Sequence, residues 1–174
     1  MADIDVTTRR RDRRLIFGGG AIAGVIGGIV VSLFMLSMGA ARGQNLWVGA
    51  KTAAYPFLGD RVMAPGFDAG AVALGLIGHF AVSIVWGILF ALVAFGLSRW
   101  ATIGTSALWG IVVWLAMFYV VLPVVGVGGL VRGMPLGAAI FEHVIFGVAV
   151  GVGFLPFQRT RPERLLGKRR LRPA

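Results

Sequence analysis

The sequence predicts an all-α fold: a polytopic membrane four-helix bundle made of two repeated helical hairpins, with both termini cytoplasmic. Three observations predict it. Of 174 residues, 57% are hydrophobic and only 14% charged, whereas soluble domains run at about 45–50% and about 25%. Mean hydropathy is correspondingly high, at +0.86. Four long stretches are almost free of charge, and the basic residues crowd toward the two ends of the chain. The long apolar runs also exclude a disordered chain, which needs few large apolar residues.

No Asp, Glu, Lys or Arg occurs over residues 15–41, 69–98 or 100–131, and only Glu142 breaks the stretch 133–157. A helix of about 20 apolar residues crosses the hydrocarbon core, so each stretch spans once. The predicted spans cover 15–39, 71–97, 102–122 and 136–157. Residues 1–14 form a basic head, 15–157 the bundle, 40–68 its outer loop and 158–174 a basic tail. Arg13-Arg14 before an apolar run, with Gly39-Ala40-Ala41 behind it, resembles a secretory signal. That run exceeds the roughly 7–15 residues of a signal core, so it reads as a permanent first helix. In the outer loop Leu46, Ala50, Ala53 and Phe57 recur with helical period. Asn45 stands at the start and Pro56 at the end, which predicts one short surface helix with Trp47 and Tyr55 at headgroup depth.

Orientation follows from the basic residues, which resist translocation. Thirteen of the 17 lie on one side. They are Arg9, Arg10, Arg11, Arg13 and Arg14 in the head, Arg99 between the second and third spans, and Arg159, Arg161, Arg164, Lys168, Arg169, Arg170 and Arg172 in the tail. The other side holds Arg42, Lys51, Arg61 and Arg132. The formal charge of +10 therefore reads as a topology signal and an attachment to anionic lipid, at about 1 kcal/mol per basic residue near the surface. Nucleic acid is not an expected partner. The expected partners are the lipid bilayer and, beyond it, other membrane proteins or further copies of the chain.

The repeat is visible in Gly28-Ile29-Val30-Val31-Ser32-Leu33-Phe34-Met35 and Gly110-Ile111-Val112-Val113-Trp114-Leu115-Ala116-Met117, identical at six of eight positions. His79 and His143 correspond in the second and fourth spans, each with a glycine eight residues on, at Gly87 and Gly151. The copies, about 15–98 and 100–157, then run parallel about an axis along the membrane normal. Close packing in lipid depends on small residues. Gly20, Gly24 and Gly28 line one face of the first helix, Ser83 and Gly87 follow His79 on the second, and Gly147 and Gly151 follow His143 on the fourth. These faces are expected to meet one another.

Chemistry concentrates in His79, Ser83, Glu142 and His143. Both histidines lie at matching depth, roughly 10–12 Å below the outer end at 1.5 Å per residue. Three readings of them stand open. In the structural reading each imidazole hydrogen-bonds across helices, to Ser83, Ser106 or a backbone carbonyl, for about 0.6 kcal/mol. In the second, His79 and His143 are axial ligands of a haem, with neighbouring glycines making room for the macrocycle. In the third, the four residues line a polar path for protons or a small solute. No metal motif, nucleophile elbow or phosphate-binding loop occurs, and there is no cysteine, so an enzyme is not expected. A non-enzymatic accessory or structural subunit of a membrane complex is the first expectation, and a small transporter or proton-conducting oligomer the second.

Ala23-Gly24-Val25, the stretch from His79-Phe80-Ala81 to Val85, Leu122-Pro123-Val124-Val125-Gly126 and Glu142-His143 occur in an order that resembles the uncharacterised bacterial four-helix inner-membrane proteins of the YagU-like kind. The resemblance covers most of residues 18–157. It implies a helical bundle in the bacterial inner membrane and supplies no reaction. A role in envelope stress or acid tolerance is its only functional hint.

Overall fold

The computed structural model describes residues 2–43, 45–131 and 135–159. Arg132 and the tail beyond residue 159 lie outside the described residues. Helix α1 runs Ala2–Ala41, about 60 Å at 1.5 Å per residue. Its apolar span is Asp12–Ala41, and the basic head is simply its first turns, because nothing before Phe17 breaks a helix. Three further helices are long and apolar enough to cross a membrane: α4 (Ala69–Ala94), α5 (Arg99–Ala116, its span prolonged to Val124) and α8 (Leu136–Phe154). The short pieces are α2 (Val48–Thr52), α3 (Tyr55–Leu58), α6 (Leu122–Val124) and α7 (Gly128–Val131).

Each boundary has a local cause. Asp68 caps α4 by accepting from the Ala71 N–H at 3.0 Å, while Arg61 donates to its other oxygen at 3.0 and 3.1 Å. The Ala71 amide and then the Arg61 guanidinium hold the Asp68 carboxyl below its ordinary pKa. The expected end of this span at residue 97 is three residues too late. Gly96 adopts φ +100°, a left-handed conformation that stops the helix. Ser98 then accepts from the Ala101 N–H at 3.3 Å and starts α5. The third span runs two residues past the predicted 122, through a π-helical turn, Met117–Val121, in which the Leu122 N–H bonds to the Met117 carbonyl. Pro123 is the cause: it has no N–H to give and its ring clashes with the carbonyl four residues earlier, so the preceding turn widens.

Helix α1 packs along both α4 and α8, and α8 packs along α5, whereas α4 and α5 make only slight contact. The tight seams are built where backbone meets backbone. A Cβ on Gly20 would strike Gly87 and Ile88, and one on Gly24 would strike Ser83 and Ile84. Gly28 lies against Phe80 and the Ser83 hydroxyl. On the other seam Gly110 abuts His143 and Val144, Gly147 abuts Ser106 and Gly110, and Gly151 abuts Ser106. The glycine face of α8 thus meets α5, not the glycine faces of α1 and α4 as expected. Helix α8 reaches α1 through other glycines: Gly27 lies under Val150 and Phe146, and Gly153 against Ile26 and Ala23.

Bulky rings fill the bundle toward its basic end. Trp86, Trp109, Phe90, Phe154 and Phe157 form a chain of ring contacts with centroids 6.0–6.3 Å apart. Beneath them Gln158, just after α8, ties that helix to the α4–α5 turn. Its amide donates to the Ala94 carbonyl and the Thr102 hydroxyl, both at 2.8 Å, and its oxygen accepts from the Gly96 N–H at 3.0 Å.

At the opposite, loop end the segment after α1 is not one helix. Pro56 sits in the first turn of α3, a position where its missing N–H costs nothing, so it opens a second helix and does not close the first. Asn45 accepts from the Trp47 N–H at 3.0 Å and turns the chain ahead of α2. Lys51, only 2% exposed, holds this segment together by donating to the carbonyls of Ala64 and Gly66. Ala50 presses its own carbonyl onto Gly75 of α4. Tyr55 donates to Asp60 at 3.1 Å, and that bond to a carboxylate raises the phenol pKa. Leu46, Trp47, Phe57 and Phe67 remain exposed on the outer surface.

Gly24→Leu and Gly147→Leu are each expected to destabilise by more than the ~1–3 kcal/mol of ordinary overpacking, because backbone and not a flexible side chain is struck. Loss of the monodisperse peak on size exclusion in detergent checks this. Gln158→Ala strands an N–H and a carbonyl and is expected to cost about 1–3 kcal/mol, read as a lowered thermal midpoint with the fold retained.

Candidate functional site

The slight contact between α4 and α5 leaves space inside the bundle. All four long helices border a cavity of about 190 Å³. Val31 comes from α1; His79, Val82, Ser83 and Trp86 from α4; Val113, Met117, Phe118 and Leu122 from α5 and the widened turn that follows it; and Glu142, His143 and Phe146 from α8. The four polar residues singled out in the sequence therefore border one space. Their positions put it in the half of the bundle nearer the loop end. The ring chain that starts at Trp86 and Trp109 closes it toward the basic end.

Each histidine is fixed by one hydrogen bond to a carbonyl. His79 Nε2 lies 3.2 Å from the Gly28 carbonyl of α1, and His143 Nδ1 lies 2.8 Å from the Ala139 carbonyl one turn back on its own helix. A carbonyl accepts only, so each of these nitrogens carries a proton, and in a neutral ring the other nitrogen has a lone pair to offer. Only His79 makes the cross-helix bond expected for both. His143 instead packs its ring edge-to-face on Phe118, with centroids 5.7 Å apart. Neither imidazole bonds to Ser83 or Glu142. Glu142, half-buried, makes no hydrogen bond or ion pair with a described residue.

The haem reading fails on space. The glycines expected to make room for a macrocycle are filled, Gly87 by the backbone of α1 and Gly151 by Ser106. The cavity itself, about 190 Å³, is below the ~300–1,000 Å³ of ordinary small-molecule sites. Among the described residues no group of three His, Asp or Glu stands close enough to hold a metal ion.

Sequence reasoning missed Trp86, Met117, Phe118 and Phe146 as cavity walls. Large apolar residues in a span read equally well as lipid-facing, and only Pro123 carried a usable signal, since a proline near a helix end implies a deformed turn before it. Trp86 gives its indole N–H to the Met117 sulfur at 3.4 Å, which fixes the α4 side of the wall to the widened turn.

The chain matches no protein-family model, no curated protein and no solved structure.

A carboxylate at the centre of a span costs about 2.5–3.5 kcal/mol on insertion scales and less toward its ends, and Glu142, a third of the way into its span, has no cation beside it among the described residues. Glu142→Leu is expected to raise the thermal midpoint in detergent, by on the order of 1 kcal/mol of added stability; a lowered midpoint would mean that the carboxylate holds the bundle together.

Proposed function

We propose that this chain is a non-enzymatic multi-pass protein of the bacterial inner membrane, with both termini cytoplasmic, that takes a proton or a small polar solute into the cavity between its helices. One observation carries the reading: His79, Ser83, Glu142 and His143, remote in sequence and borne on two helices, border a single space. Polar groups inside a membrane are costly, and their convergence is a mark of a pathway or binding site. The distribution of Lys and Arg supports the orientation, and puts the cavity in the outer half of the bilayer. The resemblance to YagU-like proteins supports the location. Against an enzyme stands the missing relay: Ser83 has no base bonded to it, and neither imidazole is oriented by the carboxylate.

The bundle belongs to a duplicated design in this proposal. Gly24 against Ser83 in the α1–α4 seam corresponds to Ser106 against Gly147 in the α5–α8 seam, and Gly28 against Phe80 to Gly110 against Val144. Those pairs are related by the same two alignments that the sequence repeat gives.

A second reading is an accessory subunit that works among other membrane proteins or further copies. The ring chain from Trp86 to Phe157 favours it, because that layer closes the cavity toward the cytoplasmic side. Flux into liposomes separates the two. Wild type is expected to carry protons or solute above the empty-vesicle rate, with at least a tenfold loss in His79→Ala and Glu142→Gln. Wild-type flux no higher than that of empty vesicles, together with a membrane partner co-purifying in mild detergent, would establish the accessory reading instead.

A further inference from the structure

We infer that the cavity recognises an ammonium group, and that its ligand is a small organic amine in the protonated form. The inference rests on the solute-binding reading above and names the class of solute. The polar lining is richer in acceptors than in donors. His79 and His143 each direct one N–H to a carbonyl, of Gly28 and Ala139, and a neutral ring then has its other nitrogen's lone pair to offer. Glu142 brings an unpartnered carboxylate, and the Ser83 hydroxyl can accept. The indole N–H of Trp86 is committed to Met117. No Lys or Arg among the described residues lines the space. An anion would meet a carboxylate and find only the Ser83 hydroxyl as a donor, whereas an ammonium N–H finds acceptors from two helices.

The remaining walls choose among cations. A bare metal ion needs several ligands converging at short range, and no such group exists among the described residues. A hydrated inorganic ion would have to shed water against Val31, Val82 and Val113, which offer nothing in return. An organic ammonium differs, because its N-alkyl groups suit apolar walls and the aromatic residues Trp86, Phe118 and Phe146 border the space, where a ring face attracts a cation. A cavity of about 190 Å³ limits the ligand to a few heavy atoms. The same group is found on a free amine and on an ethanolamine lipid headgroup. The weak α4–α5 contact, beside the π-helical turn, is where a headgroup would enter from the bilayer.

The test uses the full-length protein in nanodiscs of phosphatidylglycerol, with radiolabelled ethanolamine as probe in equilibrium dialysis. Saturable binding is expected, weakened at least tenfold by Glu142→Gln and again by Trp86→Ala, with both variants keeping the wild-type elution profile. Acetate is expected not to compete and tetramethylammonium to compete. Repeating the titration in phosphatidylethanolamine nanodiscs separates the sources: binding lost there identifies the lipid headgroup as the occupant, and binding retained identifies a free amine. No saturable binding in phosphatidylglycerol, or binding indifferent to Glu142→Gln, overturns the inference. Proton flux without ethanolamine binding would sink this inference alone, and binding without any flux would sink the transport reading alone.

Discussion

Backbone contact at small residues is the constraint on which the structure depends. In lipid, apolar side chains gain little by leaving one hydrocarbon surface for another, so helices associate through dispersion contacts that require close approach. Only glycine, and serine beside it, lets two helix backbones come that near. The chain has two such seams, Gly20-Gly24-Gly28 with Ser83-Gly87 and Ser106-Gly110 with Gly147-Gly151. A looser third seam joins α1 to α8, where side chains of Val150, Phe146 and Ile26 cover Gly27 and Gly153. No seam of this kind joins α4 to α5.

The cavity is the consequence of that omission. Where α4 faces α5 the contacts are made by the largest side chains available. Trp86 meets Trp109 edge to face at 6.0 Å, Phe90 tilts against Trp109 at 6.1 Å, and Trp86 reaches the Met117 sulfur. Rings of this size hold the two backbones apart, and they fill the gap completely only toward the basic end. Toward the loop end the α5 chain widens into a π-helical turn under Pro123, and the filling stops. The polar side chains lie at this unfilled level. Packing and site are thus one arrangement: the seams that pull α1 onto α4 and α8 onto α5 also set His79 and His143 on opposite walls.

The spans were legible in the sequence because a run of about 20 uncharged residues has few other uses. Local turn chemistry was legible where a single residue decides it, as with Asn45 ahead of α2, and illegible where two readings share one residue. Pro56 ends a helix or begins one, and the choice depends on whether residue 54 is already turned, which composition does not encode. Gly96 stops α4 three residues early by its positive φ, a property of the backbone and not of hydropathy. Of the site, the four polar residues were legible because each is an anomaly in an apolar run. Their apolar neighbours were not, since Met117 or Phe118 facing a cavity is the same letter as Met117 or Phe118 facing lipid. Which glycines meet which was also hidden: the spacing that marks a packing face on α8 leaves its partner helix open.

The hydrogen bonds of the two histidines are the ground for proposing that those residues do more than pack. A half-buried imidazole that served only to join helices needs no second acceptor facing a shared space, since an unmade bond is costly only where water is excluded. Each ring here is anchored through one nitrogen and keeps the other uncommitted. Glu142 repeats the pattern, with no basic partner among the described residues although the chain is rich in arginine elsewhere. Arginine is kept to the span ends and the loops because a charged side chain deep in a span is expensive, and no described counter-ion stands beside Glu142. The acceptors are left open at one level, next to the one place where the helix is widened. On the proposed reading, a ligand from outside the chain completes this arrangement, and the open acceptors favour a cation over an anion.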